Sequence, residues 1–210
     1  MIQAVVSDFG GVLTTPFFPS IARVDDDLGI PVEAIGAAMA RAAEREGEPP
    51  LFKLERGQLS EPAFIAGLEA ELAGILGRPV SLDGYGERLM AALGVNEPLF
   101  AYYRALQARG IRMALLTNNV REWEPLWRSK LPVDEVFELV VDSGFVGMRK
   151  PEPGIYALTL ERLGLPGSAC AFVDDLAVNV EAARAAGMHG VLFRDTDQAI
   201  AELDELLGDR

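Results

Sequence analysis

The sequence predicts an α/β fold, a parallel sheet with helices on both faces and an all-helical segment inserted into it. Three observations predict it. Short apolar runs ending on acidic or small polar residues recur at 4–8, 112–119, 168–175 and, more weakly, 190–193. Amphipathic stretches lie between the later runs, and strand alternating with helix gives parallel pairing with right-handed crossovers. The long interval 16–95, between the first run and the second, carries helical periodicity and no strand pattern.

The first run, Ala4-Val5-Val6-Ser7-Asp8, is apolar on both sides of the pleat, as a central strand covered on both faces must be. Gly10 and Gly11 then turn the chain. Ligands of open α/β sheets sit just beyond the carboxyl ends of the strands, which is where this run delivers Asp8. In the interval, helices are expected at 31–45, 61–76 and 84–93. Ser60 is placed to cap the second, with Pro62 in its first turn. The acidic, proline-ended stretch 44–50 reads as a solvated loop. The expected organisation is a core of 1–15 and 96–210 and a helical cap of 16–95, an insert of the kind that shields a site and shapes its pocket. Further on, helices at 98–109, 153–163 and 176–186 each stop at a glycine: Gly110, Gly164 and Gly187.

Composition narrows the function. Across 210 residues, 32 Asp and Glu against 19 Lys and Arg leave a net charge of −13. Such a chain is a poor partner for nucleic-acid phosphates or an anionic membrane surface. A small anionic substrate is still admissible, because a local cation can dominate a site. Cys170 is the only cysteine, so no intramolecular disulfide can form; a cytoplasmic setting is expected, with Cys170 in the core. The start lacks the basic, apolar pattern of a signal peptide, and no run approaches the ~20 apolar residues of a membrane span. His189, Met39 and Met90 read as structural. Trp123 and Trp127, four apart, read as one packed helix face. Phe17 and Phe18 are placed to line a pocket mouth. Monomer and homodimer both remain open.

Four polar clusters fall at or near strand ends: Asp8, Thr117-Asn118, Lys150 and Asp174-Asp175. Parallel strands bring Asp8, Thr117 and the acid pair to one sheet edge. Lys150 comes from the loop 146–153, stiffened by Pro151 and Pro153. Carboxylates gathered round one point repel one another unless a cation joins them, and oxygen-only ligands suit Mg2+. A carboxylate there can serve as a nucleophile, while Thr117, Asn118 and Lys150 offer donors and positive charge to a phosphoryl group. Singly, each cluster has an ordinary reading as a turn, a helix cap or a surface lysine. In this order, each after its own element, they point to one shared site.

The ordered set resembles the haloacid dehalogenase superfamily of phosphohydrolases over essentially the whole chain. Within it, the chain looks most like the N-terminal phosphatase-like domain of soluble epoxide hydrolases. That closer similarity rests on the loop 146–153, on Phe172-Val173-Asp174-Asp175 with Asn179 four residues on, and on Asp195-Thr196-Asp197. The resemblance implies a Rossmann-like core with a cap, Mg2+ as cofactor, and a small phosphorylated substrate cleaved through an aspartyl-phosphate. It makes Asp8 the nucleophile and a metal ligand, joined by the Gly10 carbonyl and Asp175, with Asp174 and Asn179 in support. It makes Thr117 and Asn118 phosphate-binding, and Lys150 the group that neutralises nucleophile and phosphate.

The chain departs from the pattern at Gly10. Phosphatases of this superfamily carry there a second aspartate, the general acid and base. Such help contributes ~10² to 10⁴ in rate. Its loss favours phosphates with good leaving groups, such as acyl or anomeric sugar phosphates. The same gap suits three alternatives. Metal-independent 2-haloacid dehalogenases release halide without a proton, but the acid pair argues for a metal. Phosphonate-cleaving members use a cap lysine, and Lys53, the only lysine of 16–95, lies in what reads as a helix end. The third is a non-catalytic phosphate- or partner-binding member, although binding alone has no need of Asp8.

Overall fold

The structure, a computed structural model, describes residues 1–208. Strand β1 (Ala4–Ser7) is followed by five helices, α1 (Phe17–Asp27), α2 (Val32–Glu46), α3 (Pro50–Glu55), α4 (Glu61–Leu76) and α5 (Tyr85–Ala92). Helix α6 (Glu97–Ala108) leads into β2 (Arg112–Thr117). A 3-10 turn at Arg121–Trp123 opens α7 (Glu124–Arg128), and α8 (Val133–Val136) precedes β3 (Leu139–Asp142). After α9 (Ser143–Val146) and α10 (Pro153–Leu163) come β4 (Cys170–Asp174), α11 (Ala177–Ala185), β5 (His189–Leu192) and α12 (Thr196–Leu207).

The five strands form one parallel sheet in the order β3-β2-β1-β4-β5. Side chains of a strand alternate between faces, and the apolar runs sort accordingly. Val5, Met113, Leu115, Ala171 and Val173 enter one buried cluster, while Ala4, Val6, Ala114, Leu116, Cys170 and Phe172 enter the other. Cys170 is therefore buried core. The first cluster continues into the helical segment through Val24, Ala38, Leu54, Phe64, Leu72 and Leu89, so the insert shares a core with one face of the sheet.

The chain enters and leaves the insert side by side. Thr14 and Val95 form an isolated antiparallel bridge. The Thr15 and Asn96 amides donate to the carbonyls of Gly94 and Leu13, both at 2.9 Å. Asn96 also caps α6 and donates from its side chain to the Val12 carbonyl.

Where the structure differs from the sequence expectations, the cause is local. A fifth strand, β3, was not expected; it is four residues long and lies at the sheet edge with Leu139 and Val140 only half-buried. Two further insert helices appear. Helix α1 carries Pro19 near its start and an acidic end, where the buried Asp25 is held by the Tyr85 hydroxyl at 2.9 Å. Helix α3 begins inside the stretch 44–50, whose first three residues continue α2 and whose Pro50 is buried. Trp123 and Trp127 straddle the junction of the 3-10 turn with α7, and both are buried; Trp127 packs on Phe9 with ring centroids 5.1 Å apart. Phe17 packs on the core, Phe18 is exposed, and His189 is exposed with Nε2 3.3 Å from the Ser168 carbonyl.

Candidate active site

The site is assembled at the carboxyl edge of the three central strands. At the end of β1 the Asp8 amide donates to the Val173 carbonyl at 2.8 Å, locking the start of the turn to β4. The Asp8 carboxylate accepts the Phe9 amide and the Lys150 ammonium, each at 2.7 Å and both on Oδ1. Oδ2 has no hydrogen bond from a donor among the described residues. Three residues on from Asp8, Gly11 has φ +78°, and a Cβ there would stand 2.2 Å from Asp175 Oδ2. Only glycine allows this backbone and this approach, which brings the loop after β4 against the loop after β1.

Asp174, at the end of β4, is completely buried and fully bonded. Its Oδ1 accepts the Leu176 amide at 2.9 Å and the Asn179 side-chain amide at 3.0 Å. Its Oδ2 accepts Lys150 Nζ at 2.7 Å. Asn179 is fixed in turn by the Tyr156 hydroxyl, which donates to its carbonyl at 3.0 Å. Asn179, on α11, thus braces the acid that braces the lysine.

Lys150 is 1% exposed and bridges Asp8 and Asp174 with Nζ 2.7 Å from each. Burial alone would discharge this ammonium, but the charges of Asp174 and Asp8 outweigh it and hold its pKa above the ordinary value. Burial pushes Asp8 up to about 7 against the pull of Lys150, with Asp174 and Asp175 pushing the same way. Asp175 is also raised, first by burial and then by Asp174.

Asp8, Asp174 and Asp175 each offer a carboxylate oxygen, all within 4.8 Å of one another. Three carboxylates against one ammonium leave an excess of negative charge in a buried space. A divalent cation is the simplest compensation, and this all-oxygen donor set fits Mg2+. A cation there would also draw the Asp8 carboxyl back to its ionised form.

Thr117 is buried at the end of β2, beyond Leu115, which pairs with Ser7 of β1. Asn118 has a role not expected from the sequence. Its Oδ1 accepts the Lys150 amide at 2.8 Å and its Nδ2 donates to the Lys150 carbonyl at 3.0 Å, so the side chain clamps the lysine's backbone. Gly10 has open space around it: a Cβ there meets no atom within 4 Å, and its φ lies outside the left-handed region.

Sequence reasoning missed two groups at this site. At the end of β3, Asp142 caps α9 through the Gly144 amide at 2.9 Å, and the Ser143 hydroxyl accepts the Asn119 amide at 3.0 Å, tying down the loop after β2. Val140-Val141-Asp142-Ser143 has the same pattern as the other strand ends, only shorter. The second group comes from the insert: Glu55 pairs with Arg149, next to the lysine, and no motif marks it.

This sheet, this insert and this cluster of acids round a buried lysine define a class. The chain belongs to the haloacid dehalogenase-like hydrolases, whose family model matches residues 2–187. Among curated relatives, a phosphatase of Mycobacterium tuberculosis, MT3486, is 37% identical over 205 residues, covering 94% of this chain and 89% of that protein. Bifunctional epoxide hydrolase 2 of Sus scrofa is 26% identical over 219 residues; the match takes in 99% of this chain but only 39% of that protein's length. A superfamily enzyme of Bacteroides thetaiotaomicron, solved with magnesium and inorganic phosphate, has the same fold: TM-score 0.67 at 19% identity, covering 92% of this chain and 95% of that one.

Proposed function

We propose that this hydrolase is a magnesium-dependent phosphohydrolase that forms an aspartyl-phosphate on Asp8, acting on a small phosphorylated metabolite with a good leaving group. One observation carries the reading. Lys150 Nζ, buried, lies 2.7 Å from both Asp8 and Asp174, and these two acids and Asp175 each offer an oxygen within 4.8 Å of the others. A buried lysine joining two acids, in a cluster still short of positive charge, suits a site that takes a cation and a phosphoryl group together. The phosphatase among the relatives and the magnesium–phosphate complex of a neighbour point the same way.

In this mechanism Asp8 Oδ2, the oxygen left without a donor, attacks phosphorus, and the bond from phosphorus to the leaving oxygen breaks. Water then attacks the aspartyl-phosphate at phosphorus, the bond from phosphorus to Asp8 Oδ2 breaks, and the Asp8 carboxylate is regenerated as inorganic phosphate leaves with the water's oxygen and protons. Lys150 holds Asp8 in place and offsets the charge that gathers on the phosphoryl oxygens. Thr117 supplies a further donor, and Asn118 contributes through its main chain, its amide being engaged with Lys150. Asp8, the Gly10 carbonyl and Asp175 would hold the magnesium ion, which when bound would supply charge neutralisation and orientation of the phosphoryl group. No acid stands at Gly10 to protonate a poor leaving group, so acyl and anomeric sugar phosphates are preferred over simple alkyl esters. A lone buried cysteine is in keeping with a cytoplasmic setting, and among the described residues no helix is long and apolar enough to cross a membrane.

The test is a panel of acetyl phosphate, glucose 1-phosphate, p-nitrophenyl phosphate and glycerol 3-phosphate, assayed with and without Mg2+. Turnover of the first three should need Mg2+ and vanish in Asp8→Asn. Turnover that survives Asp8→Asn, or that proceeds equally in chelator, would overturn the reading.

A further inference from the structure

Lys150 is gripped from two sides. From the sheet, the Asn118 amide makes both hydrogen bonds to its backbone. From the insert, α3 seizes the residues around it. Arg149 Nε lies 2.5 Å from Glu55 Oε2, both side chains only 14% exposed, and the guanidinium stacks 3.8 Å above the Phe52 ring. Two residues past the lysine the charges are reversed: Glu152 pairs with Arg56 of the insert at 2.5 Å and accepts the Arg149 amide at 3.2 Å.

Burial pushes the Glu55 carboxyl up, while Arg149 and then Lys150 pull it down. A planar guanidinium held edge-on by a carboxylate and face-on by a ring has little freedom left. The insert has separate anchors elsewhere. Trp123 donates to Glu61 at 2.6 Å, the Glu61 amide donates to Glu122 at 3.1 Å, and Lys130 donates to the Leu93 carbonyl at 2.8 Å. The insert therefore has contacts with the core that do not involve Arg149.

From this geometry we infer that the Glu55–Arg149 pair, backed by Phe52, is a positioning lock through which the insert sets Lys150 against Asp8 and Asp174. Glu55 and Arg149 are positioning residues: they act through the lysine between the two grips. When the lock is broken, Asn118 and the Arg56–Glu152 pair still hold the segment, but the residue next to Lys150 is released from the insert and the ammonium's reach to the two acids loosens. The catalytic consequence rests on the phosphohydrolase reading above; the structural coupling does not.

The experiment therefore reads both. Glu55→Gln and the exchange Glu55→Arg with Arg149→Glu are compared with the full-length native chain. Hydrogen–deuterium exchange is followed at the amides of Met148, Arg149, Lys150 and Glu152, and at those of α4 and α5 as a control. In Glu55→Gln the loop amides should exchange at least about tenfold faster while α4 and α5 are unchanged. Its kcat should fall by about 10²-fold, as a small misplacement of a catalytic group produces, with KM altered by less than about threefold. The exchanged pair should recover most of both effects, which additive damage to two separate sites would not do.

Loop exchange and kcat both equal to the native values in Glu55→Gln would overturn the lock. So would exchange rising equally across α4 and α5, which would mean that the insert had simply come away. If the native chain hydrolyses no phosphate but the loop amides respond as expected, the lock stands and only the phosphohydrolase reading falls.

Discussion

Under the proposed mechanism, replacing Gly10 by aspartate should supply the proton transfer that Gly10 cannot. A Cβ at this position meets no atom within 4 Å, and φ lies outside the region reserved for glycine, so the substitution is sterically open. The new carboxyl would join three others with one ammonium among them. Two unit charges about 6 Å apart repel by about 3 kcal/mol at an effective dielectric of 20. That repulsion lowers the stability of the metal-free variant and raises the new group's pKa, which keeps a proton on it near neutrality, as a general acid requires. General acid–base help contributes ~10²–10⁴ in rate, or about 3–5 kcal/mol of barrier. The gain should fall on poor leaving groups: kcat/KM for glycerol 3-phosphate should rise by about 10² or more, and that for p-nitrophenyl phosphate by less than about tenfold. Gly10→Asn, of similar size but unable to transfer the proton, should show neither gain. Steady-state kinetics on both esters at saturating Mg2+ make the comparison. An equal gain on both esters, or none in a folded variant that still binds Mg2+, would refute the assignment of Gly10 as the missing acid.

The neighbouring glycine should behave in the opposite way. Gly11→Ala puts a Cβ 2.2 Å from Asp175 Oδ2 at φ +78°, so it should displace Asp175 and weaken Mg2+ binding at least about tenfold by calorimetry, whereas Gly10→Ala should leave binding unchanged. Magnesium itself should stabilise the fold by about 2.7 kcal/mol at a hundred times its Kd, seen as a rise in Tm that Asp175→Asn abolishes. Asp142 should give a pH signature in stability. Burial lifts its carboxyl from 3.8 to about 6, so the folded state holds this proton more tightly than the unfolded state does. An acid raised in the folded state costs stability as pH climbs from about 4 to about 6, by about 3 kcal/mol in all at 1.36 kcal/mol per decade. Asn at 142 can still accept the Gly144 amide without titrating. Urea unfolding should therefore show Asp142→Asn gaining on the native chain over that window and holding the gain at pH 7; a difference flat with pH would remove the account.

What was legible in the sequence was whatever the chain writes locally. β1, β2 and β4 announced themselves because a central strand must be apolar on both faces and must stop where the site begins. Asp8, Thr117 and Asp174 could be placed for the same reason. β3 obeys that rule too, but as a short edge strand it buries only half its apolar side chains, and with it went Asp142 and Ser143. Gly11 read as a turn residue, whereas its real constraint, the approach of Asp175, joins residues 164 positions apart in different loops. Asn118 was legible as a site residue but not in its role: a side-chain amide can face a ligand or clamp a backbone, and only the position of Lys150 decides between them. The Glu55–Arg149 pair, 94 residues apart, was not legible, since Glu55 reads as part of a helix end, Arg149 as part of the loop 146–153, and nothing local joins them. Strand ends repeat a rule imposed by the sheet, so one sequence suffices to read them. The contacts between insert and core follow no repeated rule, and they are the ones that fix how the insert meets Lys150. The gathering of these acids at one sheet edge was therefore readable from the chain, while the contacts between the insert and the loop of Lys150 became visible only in three dimensions.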